Sequence, residues 1–257
     1  MGARLGQHFL FDPSILERIA AAAVGGPAER VLEIGAGRGT LTRALAARAA
    51  AVVAIEADRR LAAALAETCG PNVRVVPGDA LEVPWPACDV VCGNIPYRIT
   101  SPLIERALSP PRPARIVFLV QREVADRLSA DPGGRVWGAL SAGVQLVATV
   151  ERLFRVPAGA FRPRPRVDSA LVRLTPRAAP LVASAEEERR VRRLIRGAFQ
   201  RRRQQLSRTL HEAWDVDRAE AERLLAALGA RAGARVETLS PPQLVALARA
   251  LGPRLAS

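Results

Sequence analysis

Arg30-Val31-Leu32-Glu33-Ile34-Gly35-Ala36-Gly37-Arg38-Gly39 reads as a short apolar strand running straight into a glycine-rich turn. Residues 40–50 then carry Leu41, Leu45 and spaced alanines, the pattern of a helix packed on one face. Strand, tight turn and helix form the opening unit of a parallel α/β sheet, in which a ligand can approach the backbone where no side chain stands in the way. The spacing G-x-G-x-G departs from the dinucleotide fingerprint G-x-G-x-x-G, and no Lys-Ser/Thr pair follows as in a phosphate-binding loop.

The same unit recurs downstream. A second strand over 51–55 ends in Glu56, Leu61 and Leu65 mark a helix, and residues 73–76 form a third strand before Gly78-Asp79-Ala80. Asp89 to Cys92 reads as a fourth strand and Arg115 to Val120 as a fifth, buried on both faces. Residues 144–156 and 169–174 are expected as two longer strands around the turn Phe161-Arg162-Pro163-Arg164-Pro165, a hairpin completing seven strands. Upstream, residues 1–11 form an arm, and Asp12 caps a helix with Pro13 at its first position. Beyond Pro176 and Pro180 the pattern is purely helical, with Ser184 and Glu187 as a capping box, Asp217 opening a further helix and Ser240 a last one. The expected fold class is α/β, a Rossmann-like seven-strand sheet over residues 1–178 with a small all-helical domain over 179–257.

Of the 257 residues 49% are hydrophobic, enough for a large core, and no apolar run approaches the roughly 20 residues of a membrane span. The N-terminus lacks a secretory apolar region, so a cytoplasmic location is expected. Cys69, Cys88 and Cys92 lack metal-ligand spacing and only His8 and His211 could join them, so no metal is expected. The net charge is +13, carried entirely by arginine. Residues 162–177 hold a net +4, including Arg162 and Arg164. Residues 189–208 hold +9, including Arg201, Arg202 and Arg203. These two stretches together equal the whole surplus, and charge so concentrated points to a polyanion, most simply a nucleic acid.

Acidic residues stand at the ends of three successive strands. Glu56 is placed to accept from two ribose hydroxyls and would repel a 2′-phosphate; Asp79 could accept from an adenine amine; Glu33 adds negative charge near a cationic ligand. Together they suggest a nucleoside site, leaving NAD and S-adenosylmethionine open. The fourth strand ends at Asn94-Ile95-Pro96-Tyr97, where an amide, a proline carbonyl and an aromatic face emerge together. Alone, this is an ordinary strand-to-loop turn; beside a nucleoside site it suits a flat base with an exocyclic amine.

In order along the chain, Glu33-Ile34-Gly35-Ala36-Gly37-Arg38-Gly39-Thr40-Leu41-Thr42, Ile55-Glu56-Ala57-Asp58, Gly78-Asp79-Ala80 and Asn94-Ile95-Pro96-Tyr97 resemble the rRNA adenine N6-dimethyltransferases. Gly6-Gln7-His8-Phe9-Leu10, residues 121–128 and residues 161–169 resemble further blocks of that family, so the likeness runs from about residue 4 to residue 251. Residues 199–203 and 235–240 resemble its small-subunit branch, which acts in ribosome maturation. Ile95 leans towards the large-subunit branch that gives macrolide resistance, and His8 stands where many members have Asn.

The resemblance implies a methyltransferase sheet whose His8, Leu10, Gly35, Gly37, Glu56, Asp79 and Asn94 line an S-adenosylmethionine site. It implies methylation of N6 of two adjacent adenosines in a hairpin near the 3′ end of small-subunit rRNA, with rRNA or the pre-30S subunit as partner and a monomer as the default state. On this reading the Asn94 amide oxygen and the Pro96 carbonyl accept the two amine N–H bonds, while Tyr97 and Phe161 stack on the base's two faces and stabilise the cation that develops. Arg162, Arg164, Arg201, Arg202 and Arg203 grip phosphates of the RNA. Rival readings are the large-subunit enzyme, a ribosome-assembly factor acting by binding alone, and an NAD oxidoreductase.

Overall fold

The computed structural model describes residues 7–255. The chain runs β1 (Phe9–Leu10), α1 (Pro13–Ala23), β2 (Arg30–Ile34), α2 (Thr40–Ala46), β3 (Ala51–Glu56), α3 (Arg59–Thr68), β4 (Val73–Pro77), β5 (Val90–Asn94), α4 (Thr100–Ala107), β6 (Arg115–Gln121) and α5 (Arg122–Leu128). It continues through α6 (Ala139–Gln145), β7 (Ala148–Val156), β8 (Phe161–Arg162), β9 (Ser169–Pro176), α7 (Ala185–Gln200), α8 (Leu206–Trp214), α9 (Arg218–Ala227) and α10 (Pro241–Leu251). Gly6 and the start of the expected arm lie outside the described residues.

A seven-stranded sheet has the order β4-β3-β2-β5-β6-β9-β7. The pairs β3/β4, β2/β3, β2/β5 and β5/β6 are parallel, and β9 runs antiparallel to β6. From β2 the chain winds outward through β3 and β4, then returns to place β5 on β2's other side. The reversal puts the carboxyl ends of β2 and β5 side by side, the crevice in which open α/β sheets bind ligands. At Gly93 a Cβ would lie 2.3 Å from the Ile34 carbonyl oxygen, so only glycine lets the two strands close up there. A short ribbon, β1 paired antiparallel with β8, stands apart from this sheet.

Local chemistry sets the elements. Asp12 Oδ1 accepts from Ser14 N at 2.9 Å and Ile15 N at 3.2 Å, with Pro13 at the first turn of α1. Asp58 caps α3 in the same way. Residues 116–120 of β6 are all at most 1% exposed, as a strand covered on both faces requires.

Two expectations change. The strand expected from residue 144 begins at Ala148, because Val144 and Gln145 complete α6; a continuous apolar run has no period to separate a helix end from a strand. At α7, Ser184 Oγ accepts from Glu187 N at 3.1 Å, but the Glu187 carboxylate turns to Arg249 Nε at 2.6 Å and to the Ala183 N–H instead of closing the box.

The chain forms two compact units, one reaching to Ala125 and resuming over Val150–Pro176, the other comprising Asp126–Thr149 and the chain from Arg177 onward. The second is therefore larger than residues 179–257. Within it Trp137 is fully buried, Gln145 Nε2 donates to the Leu128 and Ala130 carbonyls at 3.0 and 2.8 Å, and Gly133 N donates to the Glu237 carbonyl at 2.6 Å.

Candidate nucleoside and base site

A cavity of about 340 Å³ opens over the carboxyl ends of β2, β3 and β5 and is walled on one side by residues 7–10. Gly37 adopts φ +56°, and its N–H donates to Glu56 Oε2 at 2.7 Å. The glycine turn after β2 is thereby tied to the end of β3. Glu56 is 3% exposed; its Oε1 accepts from Asp58 N at 2.9 Å and, more weakly, from Gln7 Nε2 at 3.4 Å. The Gln7 contact is the longest of the three and the one a ligand hydroxyl can replace. Asp79 is exposed on the cavity rim, with Oδ1 accepting from Leu81 N at 2.8 Å.

Glu33 also lines the cavity, yet is 1% exposed, and its Oε2 has no hydrogen-bond partner among the described residues. Burial, reinforced by the neighbouring Glu56 and opposed by Thr42 and Arg43, pushes its carboxyl up to about 7. A buried carboxyl with an unused oxygen is one that a bound cation would satisfy.

Asn94 ends β5. Its Nδ2 donates to the His8 carbonyl at 2.8 Å, and because that carbonyl can only accept, the contact orients the amide and leaves Oδ1 as an acceptor on the cavity side. The Tyr97 hydroxyl lies 2.9 Å from Ser169 Oγ, and its ring is 5.7 Å from the His8 ring at 32°. His8 Nδ1 lies 2.7 Å from the Pro163 carbonyl.

The cavity thus gathers His8, Leu10, Gly35, Gly37, Glu56, Asp79, Asn94, Pro96 and Tyr97. Phe161 is not among them. It is 1% exposed and packs in the core cluster with Leu10, its partner across the β1/β8 ladder. Strand alternation turns it inward and Arg162 outward, so the second stacking face expected from Phe161 is not there. The Pro96 carbonyl is also committed: Ile99 N and Thr100 Oγ1 both donate to it at 3.2 Å as the chain turns into α4. One peptide earlier, the Ile95 carbonyl accepts no hydrogen bond among the described residues, and Ile95 lines the cavity while its side chain is buried at 1% exposure.

Arg162 and Arg164 are exposed on the first unit. On the second, Arg201 and Arg203 are exposed and Arg202 is half-buried; Arg201 pairs with Glu212 at 3.8 Å and Arg202 with Glu237 at 3.7 Å. The run 189–208, itself acid-free, therefore meets acids from outside it: Glu186 and Glu188 one turn back on α7, Glu212 just beyond the run, and Glu237. Sequence reasoning missed Gln7, Phe9 and Ser169 as contributors. All three sit in stretches already singled out, but their parts depend on contacts across 49 residues for Gln7 and 72 for Ser169.

A family model described as ribosomal RNA adenine dimethylase matches residues 2–249. The chain is similar to the ribosomal RNA small subunit methyltransferase A of Synechococcus sp. (strain JA-3-3Ab), 42% identical over 99% of this chain and 95% of that protein. Among solved structures it is similar to a dimethyladenosine transferase from Plasmodium falciparum, with a TM-score of 0.81, 28% identity and coverage of 93% of this chain and 96% of that one. It is also similar to the 23S rRNA methyltransferase ErmE, with a TM-score of 0.75, 33% identity and coverage of 97% and 100%.

Proposed function

The chain belongs to the ribosomal RNA adenine dimethylase family, and from that premise we propose that it methylates N6 of two adjacent adenosines in a hairpin near the 3′ end of small-subunit (16S) rRNA, giving N6,N6-dimethyladenosine during small-subunit biogenesis. The observation that carries the reading is the Asn94 amide, oriented by the His8 carbonyl so that its Oδ1 is left as an acceptor at the cavity. An adenine amine is a poor nucleophile because its lone pair is delocalised into the ring. Accepting its N–H bonds lets the nitrogen pyramidalise, and positioning then supplies much of the rate.

S-adenosylmethionine, when bound, supplies an electrophilic methyl group on a cationic sulfur. The residues present fit it: Glu56 for ribose hydroxyls, Asp79 for an adenine amine, a turn at Gly35 and Gly37 that keeps side chains out of the way, and Glu33 with an unused oxygen for positive charge. For the substrate amine, Asn94 Oδ1 is one acceptor. Because the Pro96 carbonyl is held by the α4 turn, we assign the second to the Ile95 carbonyl. Tyr97 offers a ring face to the base and to the charge that develops on its nitrogen. The base has to be splayed from its stack to enter.

The small-subunit branch is favoured by the 42% identity, over 99% of this chain, to a protein named ribosomal RNA small subunit methyltransferase A. Ile95 no longer argues otherwise. Its side chain is only 1% exposed, in packing where an exchange between Leu and Ile is volume-conserving. Arg162, Arg164, Arg201, Arg202 and Arg203 would hold RNA phosphates, with the pre-30S subunit as partner, a monomer as the working form and the cytoplasm as the location. No described helix is long and apolar enough to cross a membrane.

Replacing Asn94 by Ala is expected to lower methyl transfer by at least about a hundredfold, the scale of losing a transition-state hydrogen bond, while binding to subunits persists. Transfer undiminished in Asn94→Ala would remove Asn94 from the chemistry. No transfer even by the unaltered protein, with binding intact, would favour the assembly-factor reading.

A further inference from the structure

Among the Phe, Tyr and Trp side chains of the described residues, Phe11 alone is exposed, at 42%. Its place is not accidental. Phe11 N donates to the Ala160 carbonyl at 3.1 Å, extending the β1/β8 ladder in which Phe9 faces Arg162 and Leu10 faces Phe161. With side chains alternating, Leu10 and Phe161 fall on the core face, while Phe9, Phe11 and Arg162 share the outer one. Each outer ring carries a guanidinium: Arg38 lies 4.9 Å from the Phe9 centroid and Arg162 4.6 Å from that of Phe11. Phe9 is also a wall of the cavity, and the His8 carbonyl, three residues before Phe11, holds Asn94. Three residues of extended chain span about 10 Å, so Phe11, which does not itself line the cavity, lies within the reach of one nucleotide step along the ribbon from the residue that holds Asn94.

We propose that the outer face of the β1/β8 ribbon is a stacking subsite for one unpaired nucleotide of the RNA strand, the neighbour of the adenosine held at Asn94. Its base stacks on Phe11 and its phosphate meets Arg162. The inference rests on the rRNA reading above and adds to it where the adjacent base waits. An exposed ring with one arginine on it fits this occupant: every base offers a π-face, so stacking tolerates either of two adjacent adenosines, and the Arg162 guanidinium supplies the charge a phosphate needs. An apolar protein partner would be poorly served by a single exposed ring with a guanidinium against it.

The test compares the full-length protein with Phe11→Ala and Phe11→Trp. One measurement is the KM for small subunits lacking the methyl groups, with S-adenosylmethionine affinity read by calorimetry. The other is fluorescence quenching of a short single-stranded RNA carrying 2-aminopurine. Phe11→Ala is expected to raise the subunit KM about tenfold and abolish the Phe11-dependent quenching, Phe11→Trp to restore both, and cofactor affinity to stay constant in all three. A KM within about twofold of the unaltered protein, or a parallel loss of cofactor affinity showing that Phe11 merely braces the arm, would overturn the proposal. Quenching that depends on Phe11 in a protein that methylates no small-subunit RNA would support the stacking site and count against the rRNA reading, so the two can fail separately.

Discussion

At the scale of single residues, the site works by holding acceptors and charges in place, and two side chains make that measurable. Glu33 keeps its proton up to about 7 in the folded chain, against an ordinary value of 4.5, because burial disfavours its charge. Between those values the folded state binds a proton that the unfolded state has lost, so stability falls as pH rises through that window. Glu33→Gln should abolish this fall and, relative to the unaltered protein, gain on the order of 3 kcal/mol between about pH 4 and pH 8 in denaturant titrations. Identical slopes for the two proteins would show that Glu33 is charged when buried. Ser169 makes the second case. Its hydroxyl anchors the chain's single tyrosine at 2.9 Å, and we expect Ser169→Ala to lower kcat roughly fivefold, as one lost hydrogen bond can, with cofactor affinity unchanged. Tyr97→Phe should give a similar loss and the double variant no more than either; strictly additive losses would mean that the two act independently.

At the scale of elements, the parallel strands were legible because each carries a short apolar run rich in β-branched residues, and β2 to β5 are closed by a glycine, an acid or Asn94. The second ribbon was not, since β1 and β8 are two residues each and pair across some 150 positions. That blindness explains the misplacement of Phe161. An aromatic in a proline- and arginine-rich stretch looks exposed, and only the pairing with Leu10 shows that it anchors the arm. Phe161→Leu should therefore retain methyl transfer within a few-fold, whereas Phe161→Ala should cost about 3–5 kcal/mol of stability as a core cavity does. Loss of transfer in a stably folded Phe161→Leu would restore its stacking role. The Pro96 carbonyl was misjudged for a related reason, because the turn into α4 that consumes it is set by Thr100, six residues beyond Asn94.

At the scale of the whole molecule, the charge surplus was read correctly as concentrated and too simply as free. Helix α7 sets Glu186 and Glu188 beside Arg190 and Arg192, and the fold adds Glu212 and Glu237, leaving a patterned rather than uniform basic run. What the sequence carried well was the order of motifs along the chain, and the comparisons place that order in one family over residues 2–249. The central claim is that Asn94 and its neighbours methylate small-subunit rRNA. Its most direct test is transfer of labelled methyl from S-adenosylmethionine to isolated small and large subunits lacking the modification, with the labelled adenosines mapped. The account predicts label on N6 of two adjacent adenosines in the hairpin near the 3′ end of small-subunit rRNA; label confined to large-subunit rRNA would contradict it.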